Sequence, residues 1–132
     1  MNKPFFEKSL AAPRTVQPDK LVQSGKKATI EGMQDKRVLS DGTRTMELYL
    51  IQGTVHGDGL IMAYLPKEKL LVEADAYTPA APNATPPAQP NPAQVNLYDN
   101  IERLKLTVDQ ILPLHGRKVP LSELQKWIGK AS

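Results

Sequence analysis

The pattern of apolar positions between residues 28 and 73 predicts four or five short β-strands. Residues 29–33 and 37–40 are two strand-length segments separated by a polar break. Asp41-Gly42 then favours a two-residue hairpin, because both central positions of a type I′ turn require positive φ. Short turns join these strands, so the pattern predicts a mostly antiparallel arrangement.

Residues 43–52 show the clearest alternation of the chain. Met46, Leu48 and Leu50 occupy one face of this predicted strand, and Glu47, Tyr49 and Ile51 occupy the other. Such a period of two is typical of a strand with one fully buried side. Apolar residues 60–65 and 70–72 then flank a turn that contains Pro66, and together they predict a hairpin.

Two short helices are predicted near the N-terminus, at residues 4–10 and 18–22. Pro13 is expected to end the first helix, and Gly25 is expected to stop the second. Neither helix is long enough to be stable alone, so both must pack on another element. The predicted organisation is an N-terminal short helical segment, residues 1–27, followed by one domain at residues 28–132.

The C-terminal region combines two amphipathic helices with one short strand. Asn96 is expected to cap the first helix, and residues 110–114 resemble a strand that Pro113 restricts to an edge or to its last residues. The last helix starts near Pro120, where Ser122 and Gln125 have capping-box spacing. Its apolar face is Leu121, Leu124, Trp127 and Ile128. The predicted fold class is α/β: a mostly antiparallel, mixed sheet of four to six strands with two C-terminal helices on one face.

Residues 78–94, the proline-rich segment, separate the predicted sheet from these helices. The segment holds six of the twelve prolines of the chain and no charged residue. Such a composition favours extended conformations without internal hydrogen bonds. Two interpretations stay open, a lid over a site and a plain surface insertion.

Composition limits the function classes. Hydrophobic residues make up 40% of the chain and charged residues 23%, which is typical of a globular protein. The basic residues are scattered and aromatic residues are few, so we expect no nucleic-acid partner. No apolar segment approaches the roughly 20 residues that span a bilayer, and no membrane partner is expected. Cysteine is absent and residues 1–8 show no signal-peptide pattern, so the localisation stays undetermined.

The candidate chemistry lies on the hairpin of residues 54–75. His56 stands in a glycine-rich bend at one end, and Asp75 follows the apolar segment at the other end. A hairpin would bring both side chains to the same rim, and imidazole nitrogen and carboxylate oxygen both suit zinc. Asp58, in the same bend, is a candidate hydrogen-bond partner for His56. The alternatives are a surface role for His56 and a loop-capping role for Asp75.

Three motifs resemble the last three metal motifs of the metallo-β-lactamase superfamily, over roughly residues 28–129. They are Val55-His56-Gly57-Asp58-Gly59, Tyr64-Leu65-Pro66-Lys67-Glu68-Lys69-Leu70-Leu71-Val72-Glu73-Ala74-Asp75 and Ile111-Leu112-Pro113-Leu114-His115-Gly116. The resemblance implies the C-terminal half of an αββα sandwich and zinc-dependent hydrolysis. It also implies that His56 is a ligand of the first zinc, Asp75 bridges both zincs and His115 is a ligand of the second.

The chain departs from that family in two places. The H-x-H-x-D-H motif that supplies most ligands is absent, and Ala74 replaces a glycine before the bridging aspartate. His56, Asp75 and His115 would therefore form a vestigial or partial site that does not bind zinc tightly. The alternative for His115 is a residue whose ring bonds to the backbone.

Three functions follow from these departures. The chain is a hydrolase-like fragment that is inactive alone, a hydrolase completed in trans by a partner chain, or a metal-free interaction module. Whether it is an enzyme stays open. We expect an exposed sheet face lined by Leu60, Met62 or their alternates. That face would drive self-association, or it would bind the missing N-terminal half or the N-terminal segment.

Overall fold

The computed structural model describes residues 3–12 and 16–130, and it divides into two units, Met1–Gln34 and Asp35–Ser132. The first unit contains helices α1 (Lys3–Ala11) and α2 (Lys20–Ser24). Asp19 caps α2 by accepting a hydrogen bond from the Val22 amide at 3.0 Å, and Gly25 ends it with φ of 65°. Both predicted short helices are confirmed, whereas the predicted stop at Pro13 lies outside the described residues.

The second unit is a six-stranded sheet with two helices. Its elements in chain order are β1 (Lys36–Ser40), β2 (Thr45–Leu50), β3 (Ile61–Leu65), β4 (Leu70–Glu73), α3 (Pro92–Arg103), β5 (Gln110–Pro113), β6 (Val119–Pro120) and α4 (Leu121–Trp127). The strands lie in sequence order, and every neighbouring pair is antiparallel except β4 and β5, which are parallel. The predicted fold class, α/β with a mostly antiparallel mixed sheet, is confirmed. No helix among the described residues is long and apolar enough to cross a membrane.

Two predictions at the start of the sheet are wrong. Residues 29–33 do not form a strand, because no neighbouring segment pairs with their backbone. The β1–β2 hairpin has a longer loop than the predicted type I′ turn, since Ser40 pairs with Thr45. The Asp41 carboxylate accepts hydrogen bonds from the amides of Thr43 and Arg44 at 2.8 and 2.7 Å. This Asx-type arrangement satisfies the loop amides and stabilises the wider turn.

One face of the sheet packs on α3 and α4 and forms the core. Tyr49, Met62, Leu71 and Ile111 alternate onto this face, and each is buried. The helices contribute Leu97, Ile101, Leu124 and Ile128 to the same cluster. The mixed face of β2, which carries Tyr49, is therefore the one that the helices cover. The Tyr49 hydroxyl donates a hydrogen bond to the Glu47 carboxylate at 2.5 Å, so this polar atom at the edge of the core has a partner.

The other face of the sheet, which we name the open face, is aliphatic but not buried. Its members are Leu39, Met46, Leu48, Leu50, Ile61, Ala63, Leu65, Leu70, Val72 and Leu112. All are half-exposed or exposed, with Leu112 at 39%. Of the predicted options for this face, Leu60, Met62 or their alternates, the structure places the alternates Ile61 and Ala63 on the open face. Met62 is completely buried on the helix side, and Leu60 packs against the core.

The two C-terminal helices form as predicted, but their starts differ. Asn91, not Asn96, caps α3 by accepting a hydrogen bond from the Ala93 amide at 2.9 Å, so the helix begins within the proline-rich segment. Pro92 at the first helical position suits this start, because proline lacks the amide that would be unsatisfied there. α4 begins after Pro120 without a side-chain cap, so the predicted capping box is wrong. Trp127 is half-buried and lies outside the core.

Candidate functional site

The parallel pairing of β4 and β5 places Asp75 beside His115. Glu73 pairs with Pro113 at the last position of both strands, and Asp75 and His115 each follow two residues later. The Asp75 Oδ1 atom lies 3.0 Å from His115 Nε2. About half of each side chain is exposed, so the pair lies at the surface of the sheet edge. The predicted meeting of this carboxylate and this imidazole is observed, and the ring bonds to a side chain rather than to the backbone.

Asp75 itself adopts an unusual backbone conformation. Its φ is 68°, in the left-handed region that aspartate tolerates better than most residues. The bend directs the chain away from β4 immediately after the strand ends. The alternative that Asp75 merely caps the following loop is not observed among the described hydrogen bonds, because Glu73 performs that task.

Glu73 is the residue of this edge that the sequence reasoning missed. It is 3% exposed, and its Oε2 atom accepts hydrogen bonds from the amides of Ala76 and Tyr77 at 3.0 and 3.2 Å. Its Oε1 atom is buried without a hydrogen-bond partner. Burial raises the pKa of Glu73 to about 7, and the two amides oppose this shift. The sequence signal was a carboxylate two residues after Leu71, on the same, buried face of the strand.

A shallow apolar groove lies on the open face beside the ends of β4 and β5. The groove has a volume of about 440 Å³ and is lined mainly by aliphatic residues of β3, β4 and β5. Ala74 and Leu114, the chain neighbours of the pair, line one end of it. Asp75 and His115 do not line the groove themselves, so the pair is a neighbour of the groove and not part of its wall.

His56 lies in the loop between β2 and β3, and α3 fixes the start of that loop. The Asn100 side chain accepts from the Gln52 amide at 2.9 Å and donates to the Gln52 carbonyl at 3.0 Å. Asn96 donates to the same carbonyl at 2.8 Å. Gly53 has φ of 67°, and a Cβ there would lie 3.3 Å from Asn96 Nδ2, so this position favours glycine.

His56 does not join the other two candidate ligands. Its amide donates to Thr54 Oγ1 at 3.1 Å, and no hydrogen bond between His56 and Asp58 occurs in the described chain. Within residues 3–12 and 16–130, no group of three or more His, Cys, Asp or Glu side chains could hold a metal ion. Because a catalytic zinc normally takes three protein ligands, the donors of this chain do not fit zinc by themselves.

The proline-rich segment is fastened at its start to the turn that follows His115. Arg117 donates to the Ala80 carbonyl at 3.2 Å and forms a bidentate pair with Glu123 at 2.9 and 2.7 Å. Gly116 has φ of 124°, and a Cβ there would lie 3.1 Å from Pro79 Cδ. Glycine therefore allows the close approach of the segment to this turn.

Comparison with known proteins supports the fold. No family model and no curated protein matches the chain. A metallo-β-lactamase from Pontibacter korlensis matches with a TM-score of 0.55 and 16% identity, over 84% of this chain and 52% of that one. The rubredoxin oxygen:oxidoreductase of Desulfovibrio gigas matches with a TM-score of 0.56 and 16% identity, over 84% and 34%. The DIM-1 metallo-β-lactamase matches with a TM-score of 0.50 and 18% identity, over 84% and 52%.

These likenesses define the class of structure. The chain has the metallo-β-lactamase fold over part of that fold's length, and the fold implied by the three motifs is confirmed. The chain spans about half the length of the metallo-β-lactamases that it matches. The identities are too low to carry an activity or a ligand set from those proteins to this chain.

Proposed function

We propose that this chain is one layer of a metallo-β-lactamase-like hydrolase domain and that it is inactive alone. The Asp75–His115 pair carries the proposal, because it stands where two parallel strands end, beside a groove of ligand size. Both residues belong to the last two of the three sequence motifs that resemble the family's metal motifs. The aliphatic open face supports the same reading, since a second layer would bury it.

Inactivity of the isolated layer follows from its donor set. Asp75 and His115 supply one oxygen and one nitrogen, and His56 stands apart from them. Zinc, when bound by a complete set of ligands, supplies an activated water for hydrolysis. A second layer that covers the open face would have to bring the missing ligands, either in the same polypeptide or in trans.

Zinc titration by calorimetry tests the inactivity. We expect no binding tighter than roughly millimolar, no difference between the wild-type chain and His115→Ala, and no hydrolysis of ester, thioester, phosphodiester or lactam substrates with zinc present. Micromolar zinc binding that is lost in His115→Ala, together with hydrolysis, would show that the chain is complete by itself. His56→Ala is the matched control, because it removes an imidazole that lies outside the pair.

A chimera tests whether the pair belongs to a divided metal site. In this chimera, the half of the Pontibacter korlensis metallo-β-lactamase that this chain does not match is fused to the N-terminus of this chain. We expect the folded chimera to bind zinc more weakly when Asp75→Ala or His115→Ala is introduced. A folded chimera that binds zinc equally well with and without both side chains contradicts the proposal.

The open face supports a second candidate, a metal-free interaction module that associates through the sheet. Ten aliphatic side chains in register form one contiguous apolar surface, and contiguous patches of this size often mark an interaction site. The five strands that carry them span roughly 24 Å by 17 Å, or about 400 Å² for each partner. Two such faces bury less than a stable interface normally does, so we expect weak, reversible association.

Sedimentation velocity at increasing concentration measures that association. Ala63→Glu places a charge at the centre of the open face, between Leu48 and Val72. We expect this substitution to raise the dissociation constant of self-association by about tenfold or more. Val38→Glu is the matched control, because Val38 is 52% exposed and faces the opposite side of β1. Equal effects of the two substitutions would contradict association through the open face.

A further inference from the structure

The net charge of the chain resides in its first unit. Residues 1–34 hold six of the 17 Lys and Arg residues and three of the 14 Asp and Glu residues, a balance of +3 that equals the balance of the whole chain. Residues 35–132 are therefore neutral overall. A basic segment attached to a neutral domain points to an anionic ligand for the segment.

The same unit contains an apolar groove between its helices and the segment that follows them. The groove has a volume of about 420 Å³, within the range of small-molecule sites. Its apolar lining consists of Leu10, Ala11, Leu21, Val22, Ala28 and Ile30. None of the described residues of this unit is buried, and Leu10 and Val22 are 41% and 51% exposed. The apolar lining thus remains accessible to a ligand.

Cationic side chains accompany this lining. Lys26 and Lys27 both line the groove, whereas the only carboxylate among its described lining residues, that of Glu7, lies 3.6 Å from Lys3 Nζ. The lysine within reach of Glu7 offsets its charge, so the groove as a whole favours a negative group. An apolar lining that also carries cationic side chains is complementary to a molecule that combines one aliphatic chain with one anionic head.

We propose that this groove binds a monomeric anionic amphiphile, with the aliphatic chain along the apolar lining and a carboxylate near Lys26 and Lys27. Burial of the aliphatic chain against the apolar lining supplies the affinity. The lysines supply the preference for a charged head over a neutral one. The site lies in a different unit from the Asp75–His115 pair, and it does not depend on the hydrolase proposal.

Dodecanoate, kept below its micelle concentration, is the probe. Calorimetry on the full chain should show binding, and amide chemical shifts should change within residues 3–34. The double substitution Lys26→Gln, Lys27→Gln should weaken binding by about threefold to tenfold, because solvent-exposed ion pairs are weak. Val22→Asp should weaken it further by placing a negative charge on the lining.

The control variant Lys67→Gln, Lys118→Gln removes two exposed cations of the second unit and should leave the affinity unchanged. Dodecanol tests the role of the head group and should bind at least about threefold more weakly than dodecanoate. The proposal is overturned if dodecanoate does not bind at millimolar concentration or if both double variants bind it equally. The proposal is also overturned if the chain sediments with anionic vesicles but does not bind monomeric dodecanoate, since a lipid surface would then be the ligand.

Discussion

Ile111→Ala should destabilise the chain by about 3 to 4 kcal/mol, the largest effect expected from a single substitution here. Ile111 lies in β5 between Leu71 of β4 and Val119 of β6, and all three are buried at 1% exposure or less. Truncation to alanine removes three carbons from the centre of the core and leaves a cavity that a sheet cannot close. Urea unfolding followed by circular dichroism measures the loss.

Leu112→Ala is the matched control for that measurement. Leu112 is the next residue of the same strand, but it lies on the open face and is 39% exposed. Its truncation should cost about 1 kcal/mol or less, since water already contacts much of the side chain. If both substitutions cost the same, the assignment of the two sheet faces is wrong. Urea unfolding should be measured at low protein concentration, where association through the open face is negligible.

Glu73 should make the stability of the chain depend on pH between about 4.5 and 7. The pKa of Glu73 is about 7 in the folded chain, whereas in the unfolded chain it has the ordinary glutamate value of 4.5. The unfolded state therefore binds fewer protons in this interval, and the free energy of unfolding falls as pH rises. The decrease in the free energy of unfolding is complete above pH 7, and it amounts to up to about 3 kcal/mol.

Glu73→Gln should remove this part of the pH dependence. Glutamine retains an oxygen that can accept from the amides of Ala76 and Tyr77, but it does not ionise. The free energy of unfolding of the variant, measured at pH 5 and at pH 8, should rise relative to that of the wild-type chain as pH rises. Glu68→Gln, in the exposed turn between β3 and β4, is the control and should follow the wild-type profile. Parallel profiles of wild type and Glu73→Gln would refute the buried-carboxylate reading.

Elements with strong local patterns were predictable from the chain. The segments around β3 and β4 are continuous apolar runs joined by a proline-containing turn, and the sheet uses both as expected. The short helix α2 was predictable because Asp19 and Gly25 mark its two ends chemically. The start of α3 was missed because Asn91 and Asn96 are both good capping residues. Pro92 directly after Asn91 is the local signal that favours the earlier start, because proline suits the first position of a helix.

The two faces of the sheet were harder to assign. In β2 the alternation is clear, but Met46, Leu48 and Leu50 form the more apolar set, and they lie on the open face. The helices cover the face that carries Tyr49 instead. Periodicity shows that a strand has two different sides, but it does not show which side meets the helices.

The local sequence was sufficient to identify the candidate chemistry of this protein. It shows an aspartate two residues after one apolar strand, a histidine two residues after another, and no cysteine or H-x-H-x-D-H motif to accompany them. Tertiary structure alone decided that β4 and β5 run parallel in register, which brings Asp75 and His115 to 3.0 Å, and that His56 stays apart. It also decided that Glu73 is buried. Pairing partners and burial depend on residues far away in the chain, whereas pattern and motif are local.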